Sequence, residues 1–252
     1  MLLKYGDICY SIDVEKSCDN ILFGCGNNFL IYNSALQYVR HGTSHFEVLS
    51  LCSSLAHNKI YYLNSGGYFV HGPLDDLEDK VPVFGTKSGS SKRIAVNDEF
   101  AVVSNVGDYA LNVYRTPFKS KCFSSQWGKT VRSLKFHPDG DLLTLDWKGT
   151  VCKHSIHNNL VTLIWECHIT GGAYAICADQ NKGLVYVTAP NSMLFIVNTA
   201  GKWQKLQTAT MLCFLKVNEN SMTQRQFAGT IKPWKWLALT LSYNISESQK
   251  RW

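Results

Sequence analysis

No two of the nine cysteines stand in a CxxC pair, so neither a zinc ribbon nor a thioredoxin-like redox motif is present. There is no GxSxG, no glycine-rich phosphate loop opening a helix and no paired acidic motif, which removes the sequence grounds for a serine hydrolase, a nucleotidase or a two-carboxylate enzyme. Convincing amphipathic helices are absent, and anion sites at helix N-termini go with them. The longest apolar runs fall far short of a membrane span. The N-terminal MLLKYGDICYS has no apolar core followed by a small-residue cleavage site, so an intracellular location, cytoplasm or nucleus, is expected. Asn244-Ile245-Ser246 matches a glycosylation acceptor but is expected to stay unused in that setting. His154 and His157 have only Cys152 nearby, too few groups for a metal site. No cofactor, small-molecule substrate or catalytic activity is expected.

What the chain has is strands and tight turns, clearest in Val131 to Ile156, VRSLKFHPDGDLLTLDWKGTVCKHSI. Residues 131–136 alternate as a strand. His137-Pro138-Asp139-Gly140 then breaks the chain, because proline fixes φ and glycine accepts positive φ without steric cost. Leu142 to Trp147 reads as a second strand, Lys148-Gly149 as a two-residue hairpin turn, and Thr150 to Ile156 as the strand running back.

The unit recurs. The second strand of each copy begins at Ile21, Ile60, Phe100, Leu142 and Leu184, a period of about 40 residues. Each is followed by a polar or glycine-bearing turn, Gly26-Asn27-Asn28, Ser65-Gly66-Gly67, Gly107-Asp108, Lys148-Gly149 and Asn191-Ser192, and then by a return strand: FLIYN, YFVHG, ALNVYR, TVCKHS and MLFIVN.

With the Phe136-His137-Pro138-Asp139-Gly140 turn ahead of Leu142, and third strands closing in pairs such as Tyr32-Asn33 or Tyr114-Arg115, this pattern resembles a WD-repeat β-propeller over about residues 7–210. No repeat ends its third strand in Trp-Asp and no Gly-His pair precedes a first strand; Arg40-His41-Gly42 and Tyr32-Asn33 are degenerate echoes. The resemblance implies an all-β fold of four-stranded antiparallel blades. Five are regular, and an incomplete or irregular sixth is expected after Met211, where the repeat fails.

The chain is accordingly divided into a propeller of residues 1–217 and an irregular C-terminal segment of residues 218–252, and Leu2 to Tyr5 could supply a ring-closing strand. The acidic run Asp75, Asp76, Glu78 and Asp79, and the small polar stretch from Thr86 to Lys92, read as solvated loops around the outer strand VPVFG. The cysteines in apolar strand runs read as small reduced core residues. Net charge is +6, half of it in the C-terminal segment through Arg225, Lys232, Lys235, Lys250 and Arg251 against Glu219 and Glu247, so the body is only weakly basic.

Four strands per blade put the turns between second and third strands, and the links from one blade to the next, on one side of the disc. There Arg40, His41, Asp108, Trp127, Lys129, Arg132, Lys148 and His168 form the candidate interaction face. In WD-repeat proteins that face is the usual docking surface. Trp147 and Trp165 read as blade-packing residues. The resulting expectation is a non-catalytic scaffold binding other proteins in a multi-subunit intracellular complex. The alternative is an RNA-associated propeller serving as the non-catalytic subunit of an RNA-processing or RNA-modifying complex, for which Lys129, Arg132 and Lys148 are the relevant cations.

Overall fold

The computed structural model describes residues 9–14, 20–33, 35, 37–54, 57–73, 81–85, 91–105, 109–115, 121–179, 183–190 and 193–207. They form twenty strands in five four-stranded antiparallel sheets. Blade 1 holds β1 Cys9–Val14, β2 Ile21–Cys25, β3 Asn28–Tyr32 and β4 Tyr38–Thr43. Blade 2 holds β5 Val48–Ser54, β6 Lys59–Asn64, β7 Tyr68–Pro73 and β8 Val81–Gly85. Blade 3 holds β9 Ser91–Val96, β10 Phe100–Asn105, β11 Ala110–Arg115 and β12 Lys121–Gln126. Blade 4 holds β13 Val131–Phe136, β14 Leu142–Asp146, β15 Thr150–His157 and β16 Leu160–His168. Blade 5 holds β17 Ala175–Ala178, β18 Val185–Ala189, β19 Met193–Val197 and β20 Trp203–Gln207. Each blade is a simple meander, and the arrangement is the five-bladed β-propeller that the period of the sequence implies. The expected sixth unit, the ring-closing Leu2 to Tyr5, the acidic run after Leu74 and the boundary at residue 217 lie outside the described residues.

Because side chains alternate between the faces of a strand, each middle strand supplies two cores. In β10, Ala101 and Val103 pack with Tyr61, Leu63 and Phe69 of blade 2, whereas Phe100 and Val102 pack with Leu134, Leu142 and Ile156 of blade 4. The second strands are therefore buried throughout in blades 4 and 5, and the outer strands β12 and β16 are mostly exposed. Each fully buried Leu or Val contributes roughly 1.5 to 3 kcal/mol relative to exposure, so the blade interfaces dominate stability. Apolar clusters join blades 1 and 2, 2 and 3, 3 and 4, and 4 and 5. None joins blade 5 to blade 1 among the described residues.

The first strands meet through polar groups. Lys135 of β13 reaches Asp13 of β1 at 3.1 Å, and the same carboxylate accepts the Ser53 N–H of β5 at 2.8 Å. Burial disfavours the Lys135 charge, but Asp13 and the thiols Cys52 and Cys177 outweigh it and raise its pKa. One salt bridge thus links blade 4 to blade 1 and holds blade 2 beside them.

Two expectations about cysteines divide. Cys52, Cys122, Cys152, Cys167 and Cys177, expected to be reduced core residues, are free, but Cys122 is exposed and so is not in the core; Cys25, which lay outside that expectation, is disulfide-bonded. Apolar context carries no information about which thiols the sheet register brings together. No helix among the described residues is long and apolar enough to cross a membrane.

Candidate interaction face

Backbone hydrogen bonds fix which loops share a side of the disc. The link between β4 and β5 bonds to the β2–β3 turn through Ser44 N to Asn27 O at 2.7 Å and Val48 N to Gly26 O at 2.8 Å. Trp127 N bonds to Tyr109 O at 2.9 Å, and Ile169 N to Gly149 O at 2.9 Å. Turns between second and third strands therefore lie against the links between blades, as the strand count requires.

The β14–β15 turn shows how local chemistry builds this face. The Asp146 carboxylate accepts the N–H groups of Lys148 and Thr150, each at 2.8 Å, which closes a side-chain-capped turn one residue earlier than the sequence reading. The strand ends at Asp146, and Trp147 swings out of the ladder. Gly149 follows at φ +90°, where a Cβ would lie 2.5 Å from the Ile169 carbonyl, so this position demands glycine.

Trp147, expected to pack between blades, is instead 56% exposed. Arg132 lies between it and Tyr174, its guanidinium carbon 4.2 Å from the Trp147 ring centroid and 4.4 Å from that of Tyr174. Tyr174 is placed by its own N–H, which donates to Thr188 O at 2.7 Å. The Arg132 backbone is held from blade 3, since Arg93 Nε donates to its carbonyl at 2.6 Å. Further round the same face, exposed Phe46 and Tyr68 stack with centroids 6.2 Å apart, and Tyr109 is also exposed.

The other expected residues divide among several environments. Lys148 and His168 are exposed at this face. Trp127 is half-buried and packs between blades 3 and 4, so it is not a free anchor. Its ring meets the edge of His154 at 4.5 Å, and His154 contacts Thr144 Oγ1 through Nε2 at 3.2 Å. Lys129 is bound to Glu166 at 2.9 Å and lies over the Trp127 ring. Arg40 and His41 sit within β4, paired with Ile31 and Leu30, near the end of a strand that runs to Thr43. Asp108 lies outside the described residues. Tyr174, Tyr68 and Phe46 went unnoticed in sequence, where an aromatic beside a turn looks like any other strand-edge aromatic.

Two titrating groups beneath the face are strongly shifted by burial. Burial and the neighbouring Lys129 push His154 down to about 4, against the pull of Glu166. Burial and Glu166, to which its thiol donates, push Cys152 up to about 12. No cluster of three metal-ligating side chains occurs among the described residues. Neither a protein-family model nor a curated protein matches this chain.

Proposed function

We propose that the chain is a non-catalytic, WD-repeat-like scaffold that holds other proteins in an intracellular complex through the face bearing Trp147, Arg132 and Tyr174. The observation that carries this reading is the concentration of exposed aromatics, Phe46, Tyr68, Tyr109, Trp147 and Tyr174, around loops of one side of the disc. Aromatics and arginine are the residues that supply most binding energy at protein interfaces. The test is the size at which the native protein elutes from a lysate. A complex larger than the monomer that loosens in a Tyr68→Ser/Trp147→Ala variant supports the reading. A lone monomer, or a complex indifferent to these changes, overturns it.

An RNA-associated propeller draws on the same aromatics interleaved with cations. The Lys129–Glu166 pair weakens it, since only Arg132 and Lys148 of its three cations are left without a carboxylate among the described residues. RNA affinity that falls steeply with salt would favour it over the protein-binding reading.

A further inference from the structure

We propose that Arg132, clamped between Trp147 and Tyr174, is a receptor for a side-chain carboxylate in an acidic segment of a partner protein. The inference rests on the scaffold reading and adds the chemistry of what is bound.

The Arg132 guanidinium lies against two rings, its carbon 4.2 and 4.4 Å from their centroids, and its N–H groups make no hydrogen bond among the described residues, so they are left to bind. They form a planar fork matching the two oxygens of a carboxylate. Lys129, Lys135, Lys153 and Arg115 each meet an Asp or Glu, whereas no carboxylate pairs with Arg132 among the described residues. The nearest acid on its own blade end, Asp146, is buried and spends its oxygen Oδ1 on two backbone N–H groups.

Two further cations stand near Arg132. Arg93, whose Nε donates to the Arg132 carbonyl, has its pKa lowered by burial and then by the Arg132 charge, and Lys148 lies exposed next to Trp147. A half-desolvated cation with a second cation at its back favours an anion in front. The rings also hold the arginine in one conformer, which reduces the ordering cost on binding. Their outer surfaces stay open, Trp147 above all, and fit an apolar residue next to the acid.

A peptide suits these features better than RNA does. A nucleic-acid track needs several phosphate contacts along its length, and two unpaired cations supply few.

The experiment pans a random-peptide display library on the full chain and remeasures the enriched peptides by fluorescence anisotropy. Enrichment of Asp or Glu beside an apolar residue is expected, with binding weakened about tenfold or more in Arg132→Lys and in Trp147→Ala. Arg132→Lys keeps the charge and loses the fork, and Trp147→Ala alters only an exposed side chain, so folding is retained in at least the second. Leu160→Ser, on the outer strand, should leave binding unchanged. Enriched peptides without acids overturn the proposal, as does acidic-peptide binding that both variants retain. Oligouridylate bound in a salt-dependent manner and lost in the same variants, with no peptide enriched, also overturns it in favour of RNA. If no acidic peptide is enriched while the lysate complex still depends on Tyr68 and Trp147, the carboxylate receptor falls and the scaffold stands; a lone monomer in lysate is what fells the scaffold.

Discussion

At one end of blade 4, Lys153 is buried and meets both Asp139 and Asp141, and Asp139 also contacts His137 Nδ1 at 2.6 Å. His137 Nε2 in turn meets the Gly183 carbonyl of the next blade at 3.1 Å. At the other end, Arg132 lies against the rings of Trp147 and Tyr174 and has no carboxylate among the described residues. The same blade thus closes one set of charges into a network that ties it to blade 5 and leaves another open to solvent. A paired, buried charge serves the fold, since removing either partner strands the other. A cation that is held rigid but unpaired contributes little to folding and is free to bind.

The comparison is broken most severely at the turn that presents Trp147. Gly149→Ala places a Cβ against the Ile169 carbonyl at a positive φ and should cost roughly 4 kcal/mol, read as a lower urea midpoint. A variant as stable as the parent would mean that the turn is not what holds the open end in shape.

His154, next to Lys153 on β15, titrates near its ordinary 6.5 in the unfolded chain and is pushed down to about 4 when folded. From pH 6.5 down to about 4 the unfolded state takes up a proton that the folded state refuses, so acidification lowers stability by about 3 kcal/mol and the slope ends below that window. Denaturation midpoints across this range check it, and His154→Leu should flatten the slope.

A smaller effect is expected at the paired end. Burial works against the Asp139 carboxylate, but Lys153 and His137 outweigh it and lower its pKa. Its contribution is therefore complete above the ordinary carboxylate pKa and lost as pH falls through the lower folded value. With Asp139 half exposed and Asp141 still holding Lys153, Asp139→Asn should cost about 1 kcal/mol at neutral pH and almost nothing in acid, as thermal melts at both would show.

The least effect on stability is expected at the open end itself. Trp147→Ala removes one exposed ring and one cation–π contact, worth about 0.5 kcal/mol at such a site. A loss as large as that of Gly149→Ala would show that the clamp is structural and erase the contrast between the two ends.

Much of the fold was legible because it is written in local signals. A strand needs alternation and a turn needs glycine, proline or a capping Asp or Asn, and these recur at one period through the five described blades, so their strand order follows from the residues alone. The side of the disc on which each loop lies follows from counting strands. The position of Trp147 was misread by a single residue, because the Asp146 carboxylate ends the strand before it and not after it. Trp127 and Lys129 were placed near the right loops, but their partners His154 and Glu166 come from strands far along the chain.

The sequence by itself determined the architecture, since backbone conformation and the two-residue alternation of a strand depend on neighbours a few positions away. Which cations are paired and which stand open was decided only by the tertiary structure. Arg132, Trp147 and Tyr174 meet because β13, the β14–β15 turn and the link to β17 converge at one corner of two blades. The Cys25 disulfide and the Lys135–Asp13 salt bridge have the same character. Contacts of that kind depend on how sheets are stacked and registered against one another, and no periodicity along the chain records it.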